Sequence, residues 1–99
     1  MYITASSEEE AKKISEILLN ERLAACANIF PIKSLYWWEG KITEDEEYGI
    51  LIKTRKNLLE KIEKKVKEIH SYKVPCIISM SITSGSKDYL EWIDKETSK

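Results

Sequence analysis

The sequence predicts a small α+β domain in which helices cover one face of an antiparallel sheet, and three observations carry that expectation. Apolar residues recur at helical spacing in two separate stretches, one near residues 8 to 20 and one near 58 to 70. Between and beyond them, β-branched and aromatic residues run in strand-like patterns. The longest of these runs is broken near its middle by Glu39-Gly40, a pair suited to the tight turn of a hairpin.

Tyr2 to Ala5 form a short apolar start that reads as a first strand. Ser7 and Glu10 have the spacing of a capping box, and the acids Glu8, Glu9 and Glu10 suit a helix N-terminus. Ala11, Ile14, Ile17 and Leu18 then mark the inner stripe of a helix over roughly residues 8 to 20. From Leu23 a second strand runs to Trp38, bent at Pro31, which lacks a ladder N–H and so suggests an edge strand or a bulge; the apolar residues on both sides of it fit a switch of face there. After the Glu39-Gly40 turn a third strand runs from Lys41 to about Thr54. Leu58, Ile62, Val66 and Ile69 define the inner face of a second helix ending near His70. Past Pro75, the alternation of Cys76, Ile78, Met80 and Ile82 with Ile77, Ser79 and Ser81 predicts a fourth strand with the first set buried. Ser86 caps a last helix carrying Tyr89, Leu90, Trp92 and Ile93. The order βαββαβ plus a helix matches the ferredoxin-like arrangement, a single domain over residues 1–99 whose second and fourth strands lie at opposite edges. One sheet face is then left without a cover.

The hairpin is too long for its domain. Strands of about 14 residues reach roughly 45 Å, against a radius of gyration near ~13 Å for a chain of this size. Its tip carries Tyr36, Trp37 and Trp38 opposite an acidic run, Thr43 to Glu47, so a monomer would leave large apolar groups in water. These three aromatics are therefore expected at an interface between copies of the chain, and a closed ring is favoured over an open chain of subunits.

Sixteen basic and seventeen acidic residues give a formal net charge of −1, which excludes the one-signed field of a general nucleic-acid or membrane-surface binder. The apolar runs are too short to span a bilayer, and no leader pattern opens the chain, so a cytoplasmic protein is expected. Cys26 and Cys76 lack redox or zinc spacing and read as free thiols, too far apart in the predicted sheet to meet within one subunit. A third of the residues are charged, a composition suited to the surface ion-pair networks that gain value at high temperature.

No nucleophile elbow, phosphate loop or zinc-protease motif is present, and the single histidine, His70, has only the adjacent Ser71 beside it, so the chain does not read as an enzyme. As soft-metal donors, His70 and Cys76 form the best intrachain pair for a divalent ion such as copper. Lys53, Tyr72 and Glu39, at the ends of elements, are candidates to line a ligand cleft.

Three blocks, Glu21 to Ile29, Tyr36 to Ile42 and Ile52-Lys53-Thr54, closely resemble the CutA divalent-cation-tolerance family. His70-Ser71-Tyr72-Lys73-Val74-Pro75 is similar to that family's His-x-Tyr-x-x-Pro segment, and Tyr89 to Ile93 resemble its closing helix. The resemblance implies a homotrimer similar to PII-type signalling proteins, a cytoplasmic location and a link to metal tolerance, with no known reaction. In some members copper binding is attributed to a histidine pair ending the second helix and a cysteine in the first strand. Here His70 matches, Ile69 and Ile3 replace the other two, and Cys76 stands where an acidic residue usually follows the proline. Two functions follow as expectations: a trimeric, copper-binding protein of the metal response, or a PII-like regulatory trimer that binds a small ligand or partner protein between subunits.

Overall fold

The computed structural model describes residues 1–98. Its elements are β1 (Tyr2–Ala5), α1 (Glu8–Asn20), β2 (Cys26–Trp38), β3 (Lys41–Lys53), α2 (Leu59–Ile69), β4 (Ile77–Ile78) and α3 (Lys87–Thr97), with a short 3-10 turn at Lys56–Leu58 before α2. The sheet order is β2-β3-β1-β4, antiparallel throughout, so β2 and β4 lie at opposite edges as expected. Ile3, Ala5, Ile50 and Ile52 on one sheet face meet Ala11, Ile14 and Leu18 of α1 and Ile62 and Val66 of α2 in a single buried core.

Local chemistry explains the first helix. The Ser7 hydroxyl accepts the Glu10 N–H at 3.1 Å and caps α1. Glu10 does not close the reciprocal half of the capping box; its Oε1 takes the N–H and hydroxyl of Ser6, each at 2.9 Å, which frees Oε2 for a distant partner. At the other end Arg22 adopts φ 59°, while Leu23 N–H reaches Leu18 C=O and Arg22 N–H reaches Leu19 C=O. That is a Schellman ending with an arginine in the left-handed position usually given to glycine.

The hairpin register is set at its turn. Glu39 (φ 49°) and Gly40 (φ 77°) both lie in the left-handed region, as a two-residue type I′ loop requires. From Trp38↔Lys41 to Cys26↔Lys53 the pairing runs without a slip, and Pro31 sits opposite Tyr48 in that unbroken ladder. Of the two expectations for Pro31 the edge strand holds, since β2 lies at the sheet edge where a missing N–H costs no ladder bond, while the bulge and the face switch are absent. On the face away from the helices, Phe30 stacks on Tyr2 over Gly49, where a Cβ would come within 2.8 Å of the Phe30 ring.

The fourth strand is shorter than the alternation of Cys76 to Ile82 predicts. Only Ile77 and Ile78 pair, with Ile3 and Tyr2. The reason is the partner's length: β1 begins at Tyr2, and Met1 is already joined to Ile52 through both its amino group and its carbonyl. Ser79 onward finds no further backbone to pair with. The inner parity is also reversed, since Ile77 packs on the core while Ile78, Met80 and Ile82 are exposed.

β3 pairs with β1 only from Tyr48 to Leu51, so Lys41 to Glu47 and the facing Ile32 to Trp38 overhang the body by roughly 23 Å. The longest dimension of the molecule, 44 Å, is about the length of this hairpin. Leu35, Trp37, Trp38 and Ile42 on the overhang are each more than 60% exposed, and Tyr36 is exposed to 37%.

Candidate functional site

Two polar clusters and one groove stand out. The first cluster gathers at the C-terminus of α2. His70 ends the helix, its N–H on Val66 C=O at 2.9 Å, and its ring turns inward until the side chain is fully buried. The Tyr72 N–H can only donate, so Nδ1, 3.0 Å away, is the bare nitrogen, and the proton on Nε2 is donated to Thr4 C=O at 2.7 Å. The imidazole is thus neutral with both nitrogens engaged by backbone. Glu10 Oε2 lies 3.8 Å from Nδ1 and accepts the Ser71 N–H at 2.7 Å. Burial alone would raise the Glu10 carboxyl, but hydrogen bonds from Ser6 and Ser71 outweigh it and hold it down at about 2.

Tyr72 continues the cluster onto the uncovered face of the sheet, where its hydroxyl donates to the buried Glu47 at 2.6 Å. Burial first, and then that carboxylate, push the Tyr72 phenol well above its ordinary value. Tyr36 similarly donates to Asp45, which raises its phenol. Cys76 lies near Tyr2; burial, then Cys76 and Glu47, shift the Tyr2 phenol upward.

The second cluster is at the far end of the hairpin. The Lys53 ammonium donates to Asn28 Oδ1 at 2.7 Å and to the Cys26 thiol at 3.8 Å, and sits 5.5 Å from the centre of the Tyr89 ring. Tyr89 first, and then, against the opposing effect of burial, Cys26 raise the Lys53 ammonium above its usual value. Beside it opens a groove of about 880 Å³ between the end of β3, the Ser79–Ile82 segment and α3. Leu51, Met80, Ile82, Leu90 and Ile93 supply its apolar walls, and Lys53, Arg55 and Lys56 its basic rim.

These positions separate the residues singled out in the sequence. His70 and Tyr72 fall together at the α2 terminus, Lys53 belongs to the second cluster, and Glu39 is in the hairpin turn. Within one chain the three cleft candidates do not converge. Among the described residues, no three His, Cys, Asp or Glu side chains stand together as a metal-binding group. Glu10, Glu47, Asn28 and Tyr89 were not expected from the sequence as site residues. One contact of the second cluster was within reach: a two-residue turn at Glu39-Gly40 places Cys26 opposite Lys53 by counting back along the hairpin.

Comparison with known proteins places this geometry in a family. The chain's residues 1–96 match the family model described as CutA1 divalent ion tolerance protein. The divalent-cation tolerance protein CutA of Archaeoglobus fulgidus is 50% identical over 95 residues, covering 96% of this chain and 93% of that protein. The corresponding protein of Pyrococcus horikoshii is 46% identical over 99 residues, covering 100% of this chain and 97% of its own length. Among solved structures, the A. fulgidus protein, there called periplasmic, superposes with a TM-score of 0.95 at 49% identity, over 97% of this chain and 94% of that one. With sequence and fold agreeing over nearly their whole lengths, the chain belongs to the CutA1 divalent ion tolerance protein family.

Proposed function

We propose that this chain acts as a homotrimer in the cytoplasmic response to divalent cations, copper foremost, as a binding protein and not an enzyme. The observation that carries the reading is the overhanging hairpin: Leu35, Trp37, Trp38 and Ile42 are each more than 60% exposed, which a lone subunit would hold in water at a cost of roughly 25 cal/mol per Å² of apolar surface. Membership of a family named for divalent-ion tolerance supplies the class of response.

A metal centre built within one subunit does not fit the residues present. His70 offers no free nitrogen, and a metal at His70 and Cys76 would first have to displace the Tyr72 N–H from Nδ1. The ion would instead take donors from more than one subunit, with Cys76, a half-buried free thiol, as the soft ligand. Copper calorimetry on the wild type, His70→Ala and Cys76→Ser tests this. Heat lost in Cys76→Ser and kept in His70→Ala is the expected result; negligible heat in all three removes the metal role.

The second reading, a PII-like regulatory trimer, is favoured by the Lys53, Asn28, Cys26 and Tyr89 cluster beside the groove, with Glu39 and Tyr72 contributed by other subunits. A thermal-shift screen of small anions distinguishes it, because a ligand that binds only the folded state raises the melting temperature by an amount that grows with the logarithm of its concentration above Kd. An upward shift in wild type that disappears in Lys53→Ala would select this reading over the metal one.

A further inference from the structure

We infer that Cys26 and Lys53 are a peroxide-responsive pair, in which oxidation of the thiol closes a sulfur–nitrogen bond between the two side chains. This chemistry is independent of metal or anion binding; it modifies the chain itself.

The hairpin register builds the pair. Cys26 and Lys53 are direct partners at the open end of the β2–β3 ladder, so both side chains leave the same face of the sheet. The Lys53 ammonium donates to Cys26 Sγ at 3.8 Å and to Asn28 Oδ1 at 2.7 Å. Asn28, two residues along β2 on that same face, also accepts from the Cys26 thiol at 3.8 Å and so holds both groups together. Cys26 and Lys53 are half-buried, which leaves the sulfur open to a molecule as small as hydrogen peroxide.

The other cysteine is out of reach. Cys76 immediately precedes β4, three strand spacings or about 14 Å from β2, whereas a disulfide spans no more than roughly 7 Å between Cα atoms. A sulfenic acid on Cys26 therefore meets no second thiol of its own chain. Of the two hydrogen-bond partners of its sulfur, Asn28 presents an oxygen and Lys53 a nitrogen that can bond to sulfur.

A thiol attacks peroxide as the thiolate and becomes a sulfenic acid. Lys53 enters this step protonated, because Tyr89 foremost, and Cys26 after it, hold its ammonium above the usual value against the effect of burial. It therefore acts first as an acid. As the sulfur bonds one peroxide oxygen and the O–O bond breaks, the ammonium gives its proton to the departing hydroxide, which leaves as water. A sulfenic acid then stands beside a neutral amine. The amine lone pair attacks the sulfur, the S–O bond breaks, and the hydroxyl leaves with an amine proton as a second water, as in the known condensation of sulfenic acids with amide nitrogen. The sulfur is oxidised by two electrons and the peroxide is reduced; thiolate, ammonium and peroxide become a sulfenamide and two waters. Closing the bond also removes the cation that Asn28 Oδ1 and the Tyr89 ring now hold, so oxidation at the end of the hairpin loosens its contact with α3.

Mass spectrometry of the whole chain tests the pair. In Cys76→Ser, Cys26 is the single thiol, so a disulfide within the chain is impossible. Hydrogen peroxide should convert this variant to a species lighter by two hydrogens, with the peptides of Cys26 and Lys53 joined after digestion, and dithiothreitol should restore the starting mass. Adding Lys53→Met removes both the acid and the amine: the product should gain only oxygen atoms, and thiol loss should slow by roughly tenfold or more. Adding Lys53→Arg instead keeps a cation that stays protonated, and should likewise give oxygen adducts and no joined peptides. Far-UV spectra check that each variant is folded. The pair is overturned if Cys76→Ser itself gains only oxygen atoms, or if the lighter species persists without Lys53. A disulfide between the Cys26 thiols of two copies would overturn it as well, because the sulfenic acid would then have met a thiol before the amine.

Discussion

At the scale of single residues, Glu10 is the position whose role changes most between sequence and structure. Sequence spacing makes it a helix-capping residue; in the fold its two oxygens hold Ser6 on one side and Ser71, 61 positions away, on the other. Its carboxyl, held at about 2 instead of the ordinary 4.5, is ionised in the folded chain over a range where the unfolded chain takes up a proton. The sign follows: this stability is fully present above about pH 4.5 and is lost as pH falls towards 2. Glu10→Gln should lower stability at neutral pH by about 1–2 kcal/mol and flatten the acid limb of the stability curve, measured by denaturant titration at a series of pH values. A curve parallel to wild type between pH 2 and 5 would contradict this. His70 beside it shows the same dependence on context: its neutral tautomer is dictated by two backbone groups, from β1 and from the loop after α2.

At the scale of elements, α3 is attached by caps more than by packing. Only Ile93 and Thr97 of the helix are buried. Arg55 donates Nε–H to the Thr97 hydroxyl at 2.8 Å and Nη2–H to its carbonyl at 2.7 Å, while Arg22 reaches the Glu96 carboxylate at 2.8 Å and its carbonyl at 3.3 Å. Two arginines thus satisfy carbonyls that the last helical turn leaves without partners. Arg55→Ala should cost α3 about 1–3 kcal/mol of local stability. Amide exchange across Lys87–Thr97 should then accelerate by roughly ten- to a hundredfold, while β1 and β3 keep their protection. Uniform acceleration throughout the chain would instead place Arg55 in the global core.

At the scale of the whole molecule, the overhang controls assembly. Replacing both Trp37 and Trp38 by Ser removes apolar surface that does no work in the isolated subunit, so the single-chain fold should survive while association weakens. Light scattering should show a smaller, concentration-dependent mass, and the melting temperature should fall and become concentration-dependent. An assembly of unchanged mass and stability would remove the aromatics from the interface.

The sequence by itself determined whatever depends on near neighbours. The 3.6-residue stripes of α1 and α2, the Ser7 and Ser86 caps, and the Glu39-Gly40 turn with the hairpin register it imposes all follow from residues a few positions apart. The long ordered blocks also carried the family. Only the tertiary structure decided where β4 stops, because strand pairing ends when the partner runs out of backbone, and β1 supplies just four residues. It alone decided that Lys53 would meet Tyr89 and that the His70 nitrogens would be taken, since these contacts join positions far apart in sequence. Periodicity and propensity are local properties of a chain; hydrogen-bond partners and the length of a neighbouring strand are not, and the candidate site is made mostly of the latter.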